Sequence, residues 1–179
     1  MKDNCENNSR SPYKCVASHM IPANIRILLA DDDQADCLLF KLALEALPLT
    51  AQLSVVHDGE QLMETLQASK KLPDVLFLDL NMPRKNGFAS LGEIKRNTGL
   101  WDLPIIIFST TSDEKAVKSV FRDAAYYYIR KPEDFSMLKK VLYEALLLIS
   151  MPNRSMPNQE NFVITGLHTE IPELPLAKG

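Results

Sequence analysis

The chain has 179 residues, a formal charge of −3 and 46% hydrophobic residues, which suits one cored domain with tails. No long basic run suggests a phosphate-backbone binder, and no apolar stretch approaches the roughly 18 residues that a membrane span needs. Three cysteines (Cys5, Cys15 and Cys37) without a Cys-x-x-Cys pair speak against structural zinc and a disulfide framework. Residues 1–13 lack the apolar stretch of a signal peptide, so the cytoplasm is the expected compartment.

Residues 1–22 are polar, show no period and are read as a disordered arm. Residues 25–30 form an apolar run broken only by Arg26 and stopped by three aspartates, as expected for a buried parallel strand. Residues 34–47 place Leu38, Leu39, Leu42 and Leu47 at helical spacing, and Pro48 ends them. A short strand at 52–56 precedes a helix at 59–69 with Leu62, Met63 and Leu66 on one face. Pro73 leads into the apolar strand 75–78, which ends at Asp79, and a third helix covers 88–97.

Pro104 leads into a fourth strand at 105–108. Thr111 and Glu114 have capping-box spacing for a helix running to about residue 124. A fifth strand is expected at 126–129. The last helix, from about 132 to 150, sets Phe135, Leu138, Val141, Leu142, Ala145, Leu146 and Ile149 inward and leaves Tyr143, Leu147 and Leu148 off that face. Five strands alternating with five helices imply an α/β, flavodoxin-like doubly wound parallel sheet over residues 23–150, in the order 2-1-3-4-5. Residues 151–179 are rich in proline and read as a mostly irregular tail, with Phe162, Val163 and Ile164 its one apolar patch.

Ligands of open parallel sheets bind at the carboxyl ends of the strands. Those ends carry Asp31, Asp32 and Asp33, then Asp79 and Asn81, then Ser109, Thr110 and Thr111, then Arg130 and Lys131. Clustered carboxylates repel and call for a cation. Mg²⁺ takes oxygen ligands, which Asp32, Asp79 and the Asn81 carbonyl would supply, with Asp31 holding a metal-bound water. A carboxylate can accept a phosphoryl group, while a cation and the Lys131 ammonium offset its charge and the Ser109 hydroxyl donates to it. Each residue alone has an ordinary reading: Asp31–Asp33 as a helix cap, Ser109 as a strand-end hydrogen bonder, Lys131 as a surface lysine, Tyr128 as a core aromatic. Their joint occurrence in this order is the signal. His19, His57 and His168 are read as surface residues away from these loops, and Cys37 as a packing residue.

Residues 27–33, 78–83 with Gly87, Pro104 to Ser109, and 128–132 resemble the receiver domain of response regulators, in particular stand-alone receivers paired with phytochrome-type kinases. The resemblance implies a two-component signalling protein, not an enzyme acting on a separate substrate. Asp79 would be the phosphorylation site, Asp31 and Asp32 the acidic pair, Ser109 and Tyr128 the switch residues and Lys131 the site lysine. It implies Mg²⁺, a sensor histidine kinase, a downstream effector or histidine phosphotransfer protein, and pairing of two copies through the fourth helix, fifth strand and fifth helix. No nucleic acid or membrane partner is expected. Members often carry Gly-Ala before the fifth strand, where this chain has Asp123-Ala124-Ala125, a departure that bears on the turn and not on the chemistry. Two other functions compete. A haloacid-dehalogenase-type phosphatase would use Asp31-x-Asp33 and leave Asp79 without a role. A phosphorylation-independent adaptor would keep only the fold.

Overall fold

A computed structural model describes residues 21–152 and 155–166. The arm expected at 1–22 lies outside the described residues as far as residue 20, and so do Cys5, Cys15, His19 and His168. Strands β1 (Ile25–Ala30), β2 (Ala51–Val56), β3 (Val75–Leu78), β4 (Ile105–Ser109), β5 (Tyr127–Arg130) and β6 (Val163–Ile164) form one parallel sheet in the order β2-β1-β3-β4-β5-β6. Helices α1 (Gln34–Glu45), α2 (Gly59–Ala68), α3 (Gly87–Arg96), α4 (Glu114–Arg122) and α5 (Phe135–Ser150) cover its two faces. The doubly wound arrangement and the order of the first five strands are those expected from the sequence.

Strands β3 and β4 are buried along their whole length because helices cover both sides, which is why they read as unbroken apolar runs. One half of the core lies under α1 and α5. There the rings of Phe40, Phe77 and Phe108 meet edge to face, with centroids 5.0 to 6.4 Å apart. The other half lies under α2, α3 and α4 around Leu62, Leu66, Leu91, Ile94 and Val120.

Four details correct the sequence reading. In α1 the inward stripe is Cys37, Phe40, Ala43 and Leu44, while Leu38, Leu39 and Leu42 face solvent, Leu38 at 56% exposure. Leucines are frequent enough at protein surfaces that apolar content alone sets the register poorly. Helix α4 is capped by Asp113, whose carboxylate accepts from the Lys115 N–H, rather than by a Thr111–Glu114 box. Helix α5 starts after Pro132, at the Asp134 cap; its Tyr143 is buried and Phe135 is exposed. The patch Phe162–Ile164 enters the sheet as β6, with the Phe162 ring buried against Phe121 at 5.1 Å between centroids.

Candidate functional site

The carboxyl ends of β1, β3, β4 and β5 meet at one edge, as expected. At the end of β1, the Asp31 carboxylate is fully buried and accepts from the Asp33 N–H at 3.1 Å. Asp33 caps α1 through the N–H groups of Ala35 and Asp36, which fixes the turn that presents Asp31 and Asp32. At the end of β3, Asp79 is 6% exposed and accepts from the Asn81 N–H at 3.2 Å. A side chain at Gly87 would collide with the Asp79 carbonyl, so glycine lets the start of α3 pass close by.

One carboxylate oxygen from each of Asp31, Asp32 and Asp79 lies within 4.8 Å of the others. An all-oxygen set of this kind fits a hard divalent cation such as Mg²⁺. The Lys131 ammonium reaches the same cluster from the end of β5, 2.8 Å from Asp31 Oδ2 and 3.3 Å from Asp79 Oδ2. It also sits 2.7 Å from Asp36 Oδ2, and its side chain is only 8% exposed. Burial pushes the Asp31 carboxyl above the usual carboxylate range, although the Lys131 charge pulls the other way. Burial alone would lower the Lys131 ammonium, but its hydrogen bonds to Asp31 and Asp36 and the charges around it outweigh that, and the net shift is upward.

The Ser109 hydroxyl is sealed from solvent and makes no well-aligned hydrogen bond among the described residues, with the Tyr128 hydroxyl its polar neighbour. Tyr128 already lies inside, 1% exposed, with its hydroxyl donating to the Thr111 carbonyl at 2.6 Å. Burial, then the nearby Asp79 charge, pushes that phenol up to about 12. The Asn81 side chain donates to Thr111 Oγ1 at 3.1 Å and so ties the loop after β3 to the loop after β4.

Sequence reasoning assembled Asp31, Asp32, Asp79, Ser109, Tyr128 and Lys131, and all lie at this edge. It missed Asp36, in the first turn of α1, which the fold brings within 2.7 Å of the Lys131 ammonium at the end of β5 and which no spacing in the sequence signals. It read His57 as a surface residue, which it is, but set it away from these loops, whereas its Nδ1 lies 3.0 Å from the Asp31 carbonyl. It did not foresee the ion pair of Arg84, in the loop after β3, with the buried Asp58 that caps α2.

The family model for the response regulator receiver domain matches residues 27–143. The chain belongs to that family, and is a receiver-domain protein of two-component signalling. It is 30% identical over 121 residues to the response regulator Rcp1 of Synechocystis, covering 65% of this chain and 82% of that protein. It is 28% identical over 122 residues to a probable methanogenesis regulatory protein, FilR2, of Methanothrix harundinacea, covering 66% of this chain and 79% of that one. Among solved structures it is similar to the phosphorylated cyanobacterial phytochrome response regulator RcpA, at 28% identity and a TM-score of 0.66, over 76% of this chain and all of that one. It is also similar to the Mn²⁺-bound form of Rcp1, at 27% identity and a TM-score of 0.63, over 75% of this chain and 99% of that one. Among the described residues no helix is long and apolar enough to cross a membrane.

Proposed function

We propose that Asp79 accepts a phosphoryl group from the phosphohistidine of a sensor kinase, and that the modified site alters a surface read by another protein. The observation that carries this reading is the Lys131 ammonium 3.3 Å from the Asp79 carboxylate, beside the cluster of Asp31, Asp32 and Asp79. A carboxylate oxygen of Asp79 attacks phosphorus. The new O–P bond forms as the P–N bond breaks, and its electron pair returns to the imidazole of the kinase. Asp31, Asp32, Asp79 and the Asn81 carbonyl would hold Mg²⁺, which supplies positive charge against the phosphoryl oxygens. Lys131 supplies a second cation, and Ser109 offers its unused hydroxyl to a phosphoryl oxygen.

Tyr128, expected from the sequence as a switch residue, already has its ring inside, against Phe162 at 6.4 Å between centroids. The switch is therefore read as an ordering of the Ser109–Thr111 loop, passed on through the Tyr128 hydroxyl to α4, β5 and β6. The partners that fit are a kinase of the phytochrome type, by likeness to RcpA and Rcp1, and an effector or phosphotransfer protein. A second copy pairing through α4, β5 and α5 would have to accommodate β6 on that face. The cytoplasm suits these partners.

The dehalogenase-type alternative needs a free Asp33, whose carboxylate is occupied in capping α1. Incubation with Mg²⁺ and acetyl phosphate, followed by mapping of the modified residue, tests the reading. Label on Asp79 is expected. Label on Asp31 would favour the phosphatase, and no label on any aspartate would favour an adaptor.

A further inference from the structure

Lys131 is placed to meet a phosphoryl group, yet all three of its N–H donors already face carboxylates. Two of these, Asp31 and Asp79, belong to the cluster whose charge a divalent cation would offset. Asp36 does not. It sits in the first turn of α1, its N–H held by the Asp33 cap, and its carboxylate is the nearest of the three to the ammonium at 2.7 Å. Among the described residues, Asp36 is then the one negative charge on Lys131 that a cation in the cluster would not offset.

From this geometry we infer that Asp36 is a positioning residue that competes with the phosphoryl group for Lys131, and so weakens the phosphorylated state relative to the unmodified one. The inference rests on Asp79 being the phosphoacceptor. A phosphoryl oxygen on Asp79 gains a full charge-assisted bond from Lys131 only by drawing the ammonium away from Asp36. The Asp36 side chain is partly open to solvent, so the opposing pull is screened and modest. Its effect is on the balance between states and not on whether the reaction proceeds.

The test uses beryllofluoride, a phosphoryl mimic, titrated in the presence of Mg²⁺ against the full chain and followed by fluorine NMR. Asp36→Asn keeps the shape and removes the charge, and is expected to bind beryllofluoride about twofold to fivefold more tightly than wild type. Asp36→Glu, which keeps the charge, should return the affinity toward the wild-type value. In a Lys131→Ala background the effect of Asp36→Asn should vanish, which a merely structural role for Asp36 would not produce. Equal or weaker binding by Asp36→Asn, or an undiminished gain without Lys131, overturns the inference. Wild-type-like binding by Asp79→Asn would instead overturn the phosphoacceptor reading beneath it.

Discussion

Arg84, in the loop that follows the Asp79 strand, pairs with Asp58, whose carboxylate is wholly buried at the start of α2. The same carboxylate accepts from the N–H groups of Glu60 and Gln61 at 2.8 and 2.9 Å. The Gly59 N–H donates to the Lys85 carbonyl, so the two loops are joined twice. Asp58→Ala removes a cap and leaves the loop without its anchor. It should cost about 2 kcal/mol, read as a lower urea midpoint at unchanged slope. Asp58→Asn keeps the capping oxygen and should cost less.

Ala124 lies at φ 62°, in the left-handed region, just before β5. A β-carbon is disfavoured there, and glycine is not. Ala124→Gly should stabilise the fold by about 0.5–1 kcal/mol in thermal or urea unfolding. This is the position where the family often carries glycine, so the departure noted in the sequence is stored as local strain.

Ser109→Ala removes a buried hydroxyl that makes no well-aligned hydrogen bond among the described residues. The unmodified protein should become slightly more stable, by up to about 1 kcal/mol, because a desolvated donor is lost. Labelling of Asp79 by acetyl phosphate should persist. The beryllofluoride-induced shifts in the loop at Thr111 should shrink, as measured by amide NMR.

Burial, and then the Asp79 charge, disfavour the Tyr128 phenolate and push the phenol up to about 12. The folded state therefore holds this proton more tightly than the unfolded chain. The associated stability is complete below pH about 10 and is lost as pH rises through about 12, on the order of 3 kcal/mol in all. In Tyr128→Phe this part of the alkaline loss should disappear, and the phenolate absorbance titration should lose a step near pH 12.

Phe162→Ala takes away a ring buried between Phe121 and Tyr128. The loss, about 3–5 kcal/mol, falls on the docking of β6. Hydrogen exchange should speed up at the Tyr128 amide, which donates to the Phe162 carbonyl. The amides of β3, whose strand lies two strands further in, should keep their protection.

Much of this architecture was legible because parallel strands buried on both faces are written as unbroken apolar runs, and each run here ends on a polar residue. Ile105 to Phe108 followed by Ser109, or Val75 to Leu78 followed by Asp79, leave little choice of boundary. Helix α1 was harder, since its exposed face carries Leu38, Leu39 and Leu42, and the packing of Phe40 against Phe77 decides the register. Strand β6 has two residues, too few to carry a period, and forms because Phe162 finds a cavity between α4 and β5. Asp36, His57 and Arg84 belong to the surroundings of the site through contacts between distant segments, such as Asp36 with Lys131, which a linear pattern does not encode.

The sixth strand also decides how the sheet ends. Without it, β5 would present a row of open N–H and C=O groups, the kind of border along which another chain can be recruited by main-chain pairing. With Val163 and Ile164 laid along it, that border is closed and the new one is two residues long. A partner approaching from this side must therefore read side chains, since the backbone of β5 has no free row to share.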